Sequence, residues 1–251
     1  MNRNRDQILY EMGLSPLWKL RSKPAVTASP FQNKQEENGL GQKAEFDVLT
    51  RAQNLSQAQQ ISQVDWDALH HSISSCQACG LCKERKQTVP GVGDRQASWM
   101  LIGEGPGVEE DAQGEPFVGQ AGKLLDAMLE AIDLKRGEDV YIANAVKCRP
   151  PRNRTPDVSE MTACFPYLKR QIALINPKLI ILLGRAAVQA VLGGNQSLSS
   201  LRGKIFHYEN DGQNIPAMVT YHPAYLLRNL PDKLKAWEDL CRVRRFMKTD
   251  G

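Results

Sequence analysis

The chain has 251 residues, 41% hydrophobic and 24% charged, which matches ordinary soluble globular proteins and leaves room for one domain with extras. Lysine and arginine exceed aspartate and glutamate by 32 − 28 = 4, a balance that permits a nucleic-acid partner without demanding one. No window approaches the roughly 18 consecutive apolar residues that span a bilayer, and the start, MNRNRDQILYEMGL, lacks the apolar core of a secretory signal. The expected compartment is the cytoplasm, where six cysteines stay reduced and available for metal.

Residues 1–60 are expected to form a flexible N-terminal extension and residues 61–251 the folded domain. Asp6 to Leu14 is a short helix candidate, followed by Pro16 and an apolar patch of Leu17, Trp18 and Leu20. Two readings stand for residues 6–20: a helix folded back onto the domain, or a tethered amphipathic peptide that recruits another protein. Residues 25–60 are rich in Gln, Asn, Ser and Ala; they bury too little apolar surface to offset the entropy of ordering and read as a linker.

From about residue 65 strand and helix patterns alternate. The run WMLIG, Trp99–Gly103, is a buried-strand signature, and residues 121–134 carry apolar side chains at helical spacing. Residues 140–146 (VYIANAV) form a second strand and 157–175 a helix with Asp157 as its N-cap. Leu179–Leu183 is a third strand, followed by Gly184 and a helix over 185–192. Residues 215–221 form a fourth strand closed by His222-Pro223, and Pro231-Asp232 opens a last helix to about Met247. Such alternation implies a three-layer α/β/α fold around a central, mostly parallel four-stranded sheet. Ligands of such sheets lie outside the carboxyl ends of the strands, which singles out residues 103–107, 144–148, 184–185 and 221–224.

Chemistry-bearing residues gather at those ends. Cys76 and Cys79 form a compact C-x2-C pair, Cys82 lies three residues on, and Cys148 and Cys164 are a widely spaced second pair. Four thiolates suit tetrahedral zinc or a cubane iron–sulfur cluster, and spacing alone does not separate the two. Cys241 reads as a packing residue. The loop Gly103-Glu104-Gly105-Pro106-Gly107 lacks the Lys-Ser/Thr of a P-loop and runs into Glu109-Glu110-Asp111, so it fits close backbone approach to a neutral ligand better than a phosphate. Phe117 sits among small residues, a setting for a stacked flat ring. Asn144, within an apolar strand, must cap its own backbone or meet a ligand edge, because an unpaired buried amide costs about 1–3 kcal/mol. Lys147, Arg149, Arg152, Arg154, Arg202, Lys204 and Arg228 recur in separate loops on one side, a plausible phosphate-backbone footprint.

Together these motifs resemble the family 4 uracil-DNA glycosylases, the iron–sulfur branch of the uracil-DNA glycosylase superfamily. The resemblance runs in order over about residues 65–245, through CQACGL, MLIGEGPGVEEDAQGEPFVGQAGKLLD, YIANAVKCRPPRNRTP, CFPYL and YHPAYLLR. It implies a [4Fe–4S] cluster on Cys76, Cys79, Cys148 and Cys164, with Cys82 outside the pattern. It implies active-site roles for Glu104, Gly105, Glu110 and His222, uracil stacking on Phe117, reading of its edge by Asn144, and a polar site position at Asn153. Tyr225, Leu226 and Leu227 then follow the site histidine, where one wedges into the base stack, and Arg228 holds a phosphate with Arg149, Arg152 and Arg154 nearby.

Gly105 stands where the best-known uracil glycosylases carry a water-activating Asp, so the general base stays open between Glu110 and Glu104. The Arg-rich loop of the covalent uracil-trapping branch has only a faint echo in Lys204-Ile205-Phe206-His207. The implied activity is a monofunctional, monomeric hydrolase that flips uracil out of DNA and leaves an abasic site. The competing expectations are a catalytically weak or inactive DNA-binding relative, acting as an adaptor for a repair or replication protein through residues 1–24, and a zinc-bound nucleic-acid module.

Overall fold

A computed structural model describes residues 58–249 except 195 and 211. The helix expected at residues 6–14, the peptide within 1–24 and all but the end of the linker lie outside the described residues. Four apolar runs become the parallel centre of the sheet: β2 (Trp99–Gly103), β3 (Val140–Asn144), β4 (Leu179–Leu183) and β6 (Gln213–Thr220). The sheet has six strands, in the order β1-β3-β2-β4-β6-β5, where β1 (Val92–Gly93) and β5 (Ile205–Asn210) are antiparallel edges. The expected four-stranded sheet is therefore extended by one strand on each side. Neither edge carries a continuous apolar run: β1 has two residues, and β5 alternates, with Tyr208 and Phe206 packed inward while Ile205 is exposed. Lys204–His207, the echo of the uracil-trapping loop, thus opens an edge strand.

Every residue of β2, β3 and β4 is buried, as fully covered parallel strands require. Alternate side chains feed two cores. Met100, Ile102, Ile180 and Leu182 pack on one face with Leu168 and Ile172 of α4 (Val158–Ile175) and Val188 of α5 (Arg185–Val191). Trp99, Leu101, Ile142 and Ile181 pack on the other with Leu125 and Leu129 of α3 (Gln120–Glu130) and Leu240 and Val243 of α8 (Lys233–Thr249). This is the expected three-layer arrangement. Asp157 caps α4 in a capping box with Glu160, as its sequence position suggests. A third core joins Leu69 and Ile73 of α1 (Trp66–Ser74) to Cys148, Cys164 and Tyr167. The short helices α2 (Val108–Gln113), α6 (Leu198–Leu201) and α7 (Pro223–Arg228) complete the domain. Among the described residues no helix is long and apolar enough to cross a membrane.

One ion pair binds the last helix to the sheet. Asp239 of α8 is fully buried; it accepts from the Thr220 hydroxyl at 2.9 Å and from Arg202 Nε at 3.1 Å and Nη2 at 3.0 Å. Arg202 also lies over the Tyr221 ring, 5.8 Å from its centroid, so it serves this junction rather than a phosphate. Burial pushes the Asp239 carboxyl up, and Thr220 and Arg202 oppose that shift. Breaking a buried pair from one side leaves an uncompensated charge. Arg202→Met is expected to cost about 3–5 kcal/mol, read as a lower denaturant midpoint, and Arg202→Met with Asp239→Leu to recover most of it.

Candidate active site

Parallel pairing brings four carboxyl ends to one rim, with Gly103 opposite Asn144 in the β2–β3 ladder. A cleft of about 860 Å³ opens there. Glu104, Gly105, Glu110, Phe117, Asn144, Asn153 and His222 all line it, as do Arg154, Tyr225 and Arg228. The sites expected from separate motifs thus converge, and of the expected DNA contacts Arg149, Arg152, Leu226 and Leu227 are outside the lining.

Phe117 is buried and has φ of 56°, an uncommon backbone state for a bulky residue that its surroundings must enforce. Arg136 donates from Nη1 to the Pro116 carbonyl at 2.9 Å and from Nη2 to the Phe117 carbonyl at 2.8 Å, while its Nε bonds Asp126. Glu110 holds the other side: Oε1 accepts from the amides of Val118 and Gly119 at 3.1 and 3.2 Å, and Oε2 from Gly107 at 3.0 Å. Both oxygens of Glu110 are engaged by backbone amides, Oε1 by two and Oε2 by one, so the carboxylate holds this loop. A methyl group on Gly103 would meet the Phe117 ring and Asn144 Oδ1 at 2.5 Å each, so only glycine lets the ring lie against this strand end.

The Asn144 side chain is 2% exposed, and its Oδ1 has no hydrogen-bond partner. His222 stacks on Phe117 with ring centroids 5.4 Å apart, and its Nδ1 accepts from the Ala224 amide at 3.1 Å. That bond places the neutral ring's proton on Nε2. Burial pulls His222 down to about 4, with Arg228 acting in the same direction and Glu110 against it. Glu104 reaches the cleft with no side-chain hydrogen bond or ion pair among the described residues.

Several basic residues of the expected DNA footprint are otherwise engaged. Arg154 forms a bidentate pair with Glu160 at 2.8 and 2.7 Å, and Arg149 Nε donates to Asn153 Oδ1 at 2.7 Å. Arg152 and Arg228 are exposed. Tyr225 stacks on Tyr221 at 5.0 Å and donates to Asp232. Leu226, expected among the DNA contacts, is 1% exposed and packs into the core; successive residues of α7 point about 100° apart, and Leu227 is the one that faces out, 41% exposed.

Behind the rim, Cys76, Cys79, Cys82, Cys148 and Cys164 line one small cavity with Arg85, Lys147 and Tyr167, while Cys241 lies apart on α8. Arg85 Nη1 donates to Cys148 Sγ at 3.0 Å, the Lys147 amide to Cys164 Sγ at 3.3 Å and the Ala78 amide to Cys76 Sγ at 3.4 Å. Burial pushes the Cys164 thiol up to about 12 and raises Cys148 and Cys79; metal coordination would deprotonate them outright. Among the described residues no three His, Cys, Asp or Glu side chains converge on a single ion. Lys147, expected on the basic rim, is instead 1% exposed. Its Nζ donates to the Asn144 carbonyl at 3.0 Å and to Gln171 Oε1 at 2.6 Å, and burial pulls it down to about 8 against the nearby cysteines. Arg136, Arg85 and Gln171 were not expected at the site; nothing local marks an arginine in the turn KRGED or a glutamine inside a helix.

The family model of the uracil DNA glycosylase superfamily matches residues 90–241. A Type-4 uracil-DNA glycosylase of Saccharolobus solfataricus is 43% identical over 188 residues, 73% of this chain and 87% of the relative. Type-4 uracil-DNA glycosylases of Pyrobaculum aerophilum and Thermotoga maritima are 44% and 42% identical over 66% and 71% of this chain, and 86% and 93% of their own lengths. With the strand-end cleft and these matches, the chain belongs to the uracil-DNA glycosylase superfamily.

Proposed function

We infer that the chain is a uracil-DNA glycosylase, a DNA-repair hydrolase that cleaves the bond between uracil and deoxyribose. One observation carries the reading at the residue level: a buried, unpartnered amide oxygen, Asn144 Oδ1, beside the Phe117 ring in the strand-end cleft. A duplex hides the reacting bond, so the nucleotide must be extruded. Stacking on Phe117 holds the base without selecting it. Asn144 Oδ1 then accepts from uracil N3–H and Nδ2 donates to O4, a polarity that cytosine reverses at both atoms.

As the glycosidic bond breaks, its electrons move into uracil and negative charge gathers on O2. Neutral His222 donates there from Nε2, and the backbone amides near Gly105 assist, in the manner of an oxyanion hole. The sugar becomes an oxocarbenium ion that water captures. We assign that water to Glu104, whose carboxylate is unengaged, and give Glu110 the task of holding the loop that carries Phe117. Leu227 is the side chain placed to fill the stack, and Arg152 and Arg228 to meet phosphates.

We assign a [4Fe–4S] cluster to Cys76, Cys79, Cys148 and Cys164. Donor chemistry supports it: these four cysteines, with Cys82 beside them, line one cavity, and three of the four sulfurs accept N–H groups. Those four thiolates would be the iron ligands of the cluster when it is bound. The cluster supplies a structural tie between the residue 76–82 arm and the residue 148–164 loop, and the chemistry on uracil is left to the cleft.

Three outcomes are expected. Asn144→Ala should slow excision from a single-uracil oligonucleotide by about 100-fold, two hydrogen bonds at about 1.5 kcal/mol each; excision at the wild-type rate would remove Asn144 from the reading role. His222 is neutral in the fold above about pH 4 but protonates near 6.5 when unfolded. So kcat/KM should show no histidine inflection between pH 7 and 5, while stability that His222 preserves above 6.5 is lost between 6.5 and 4. His222→Asn should flatten that part of the stability curve. Cys148→Ser should lower iron per chain and soluble yield together; wild-type iron content and yield would remove Cys148 from the ligand set, and purified wild type holding zinc and no iron would refute the cluster.

A further inference from the structure

Lys147 is an expensive residue in its place. A methionine would fill the same volume, yet an ammonium stands there with no carboxylate beside it, and burying a charge is costly unless specific partners hold it. Those partners are informative. Nζ grips the main-chain carbonyl of Asn144 at 3.0 Å and Gln171 Oε1 at 2.6 Å. Gln171 is fixed in turn through Nε2, which donates to the Pro90 carbonyl at 2.9 Å and the Tyr141 hydroxyl at 3.2 Å. The Lys147 backbone faces two other ways: its amide bonds Cys164 Sγ at 3.3 Å and its carbonyl accepts from Val89 at 2.8 Å.

Lys147 therefore touches the residue whose side-chain oxygen is orphaned in the cleft and a residue of the cysteine cavity. We propose that Lys147 is a positioning residue for uracil recognition: through the Asn144 carbonyl its ammonium fixes the direction of the reading amide and ties it to the cysteine loop. The proposal rests on the reading of Asn144 given above. Hydrogen-bond direction matters over tenths of an ångström, and an amide at a strand end, with Ala145 and Val146 already in a loop, has only this ammonium to hold its carbonyl among the bonds described.

The test uses the full chain loaded with iron. Lys147→Met leaves the Asn144 carbonyl and Gln171 Oε1 without their donor, so its denaturant midpoint should fall, and its rate is read per iron-loaded chain at a temperature where the variant is fully folded. Its single-turnover uracil excision should fall about ten-fold and its inhibition by free uracil should weaken in parallel. A merely structural lysine would lower the midpoint and leave both the rate per iron-loaded chain and the inhibition by free uracil unchanged. That result overturns the proposal. If Lys147→Met fails to fold or to load iron, Gln171→Met decides: a fall of about three-fold with full iron supports the proposal, and a wild-type rate overturns it. Asn144→Ala is run beside them, because wild-type activity in that variant sinks the reading of Asn144 itself and not only the role of Lys147.

Discussion

Gly103 stands opposite Asn144 at the end of the parallel β2–β3 ladder, and the space where its side chain would be is shared by the Phe117 ring edge and Asn144 Oδ1. Much of the site follows from that one register. A shift by a single residue would put Ile102 beside the amide and turn every strand side chain to the opposite layer. The two cores, each built from alternate residues of the same strands, make such a shift prohibitively costly. Packing far from the cleft is thus what places a stacking ring and a reading amide within contact of one another.

The stacking ring demands a second constraint. A positive φ at a phenylalanine costs about 1–3 kcal/mol, and three groups hold it: Arg136 on the carbonyls of residues 116 and 117, Glu110 on the amides of 118 and 119, and Gly122, whose Cβ position is filled by the Phe117 carbonyl. The loop grips Phe117 from the backbone, and the ring, stacked on His222, lines the cleft. The same geometry explains why an acid next to the cleft need not be a base. Glu110 lies close enough to oppose the downward shift of His222, yet its oxygens accept three amides, and backbone donors on a carboxylate stabilise its ionised form and weaken it as a base.

How much of this was legible in the sequence depended on whether a residue's role was local. The parallel strands were readable because burial on both faces leaves continuous apolar runs such as LIILL, and Asp157 was readable because a cap acts within one turn. β5 was missed for want of such a run, although Asp211-Gly212 between residues 210 and 213 is a hairpin signal and Phe206 and Tyr208 alternate. Charge misled most. Lys147, Arg154 and Arg202 look alike in a basic-rim inventory, but one is buried under the cleft, one pairs with Glu160 and one with Asp239. Their partners lie 3 to 37 residues away, and no composition or period encodes which of them a fold will neutralise. Leu226 and Leu227 show the same limit at its smallest scale, since a neighbouring pair on a helix is divided between core and solvent by the helix rotation alone.

The electrostatics of the cleft form a consistent whole once those charges are sorted. A base that leaves as an anion is helped by donors that are already oriented and lose no hydration when the charge appears. His222 is kept neutral by burial and by Arg228, so it presents an N–H to the cleft rather than a cation. Behind the backbone of Asn144 the buried Lys147 Nζ bonds the main-chain carbonyl rather than facing the cleft. A site arranged this way asks little of its nucleophile. In the function proposed above, a glycine at position 105 is compatible with hydrolysis: the barrier is lowered mainly at the leaving group, and the proposed assistance to water falls to the unengaged carboxylate of Glu104.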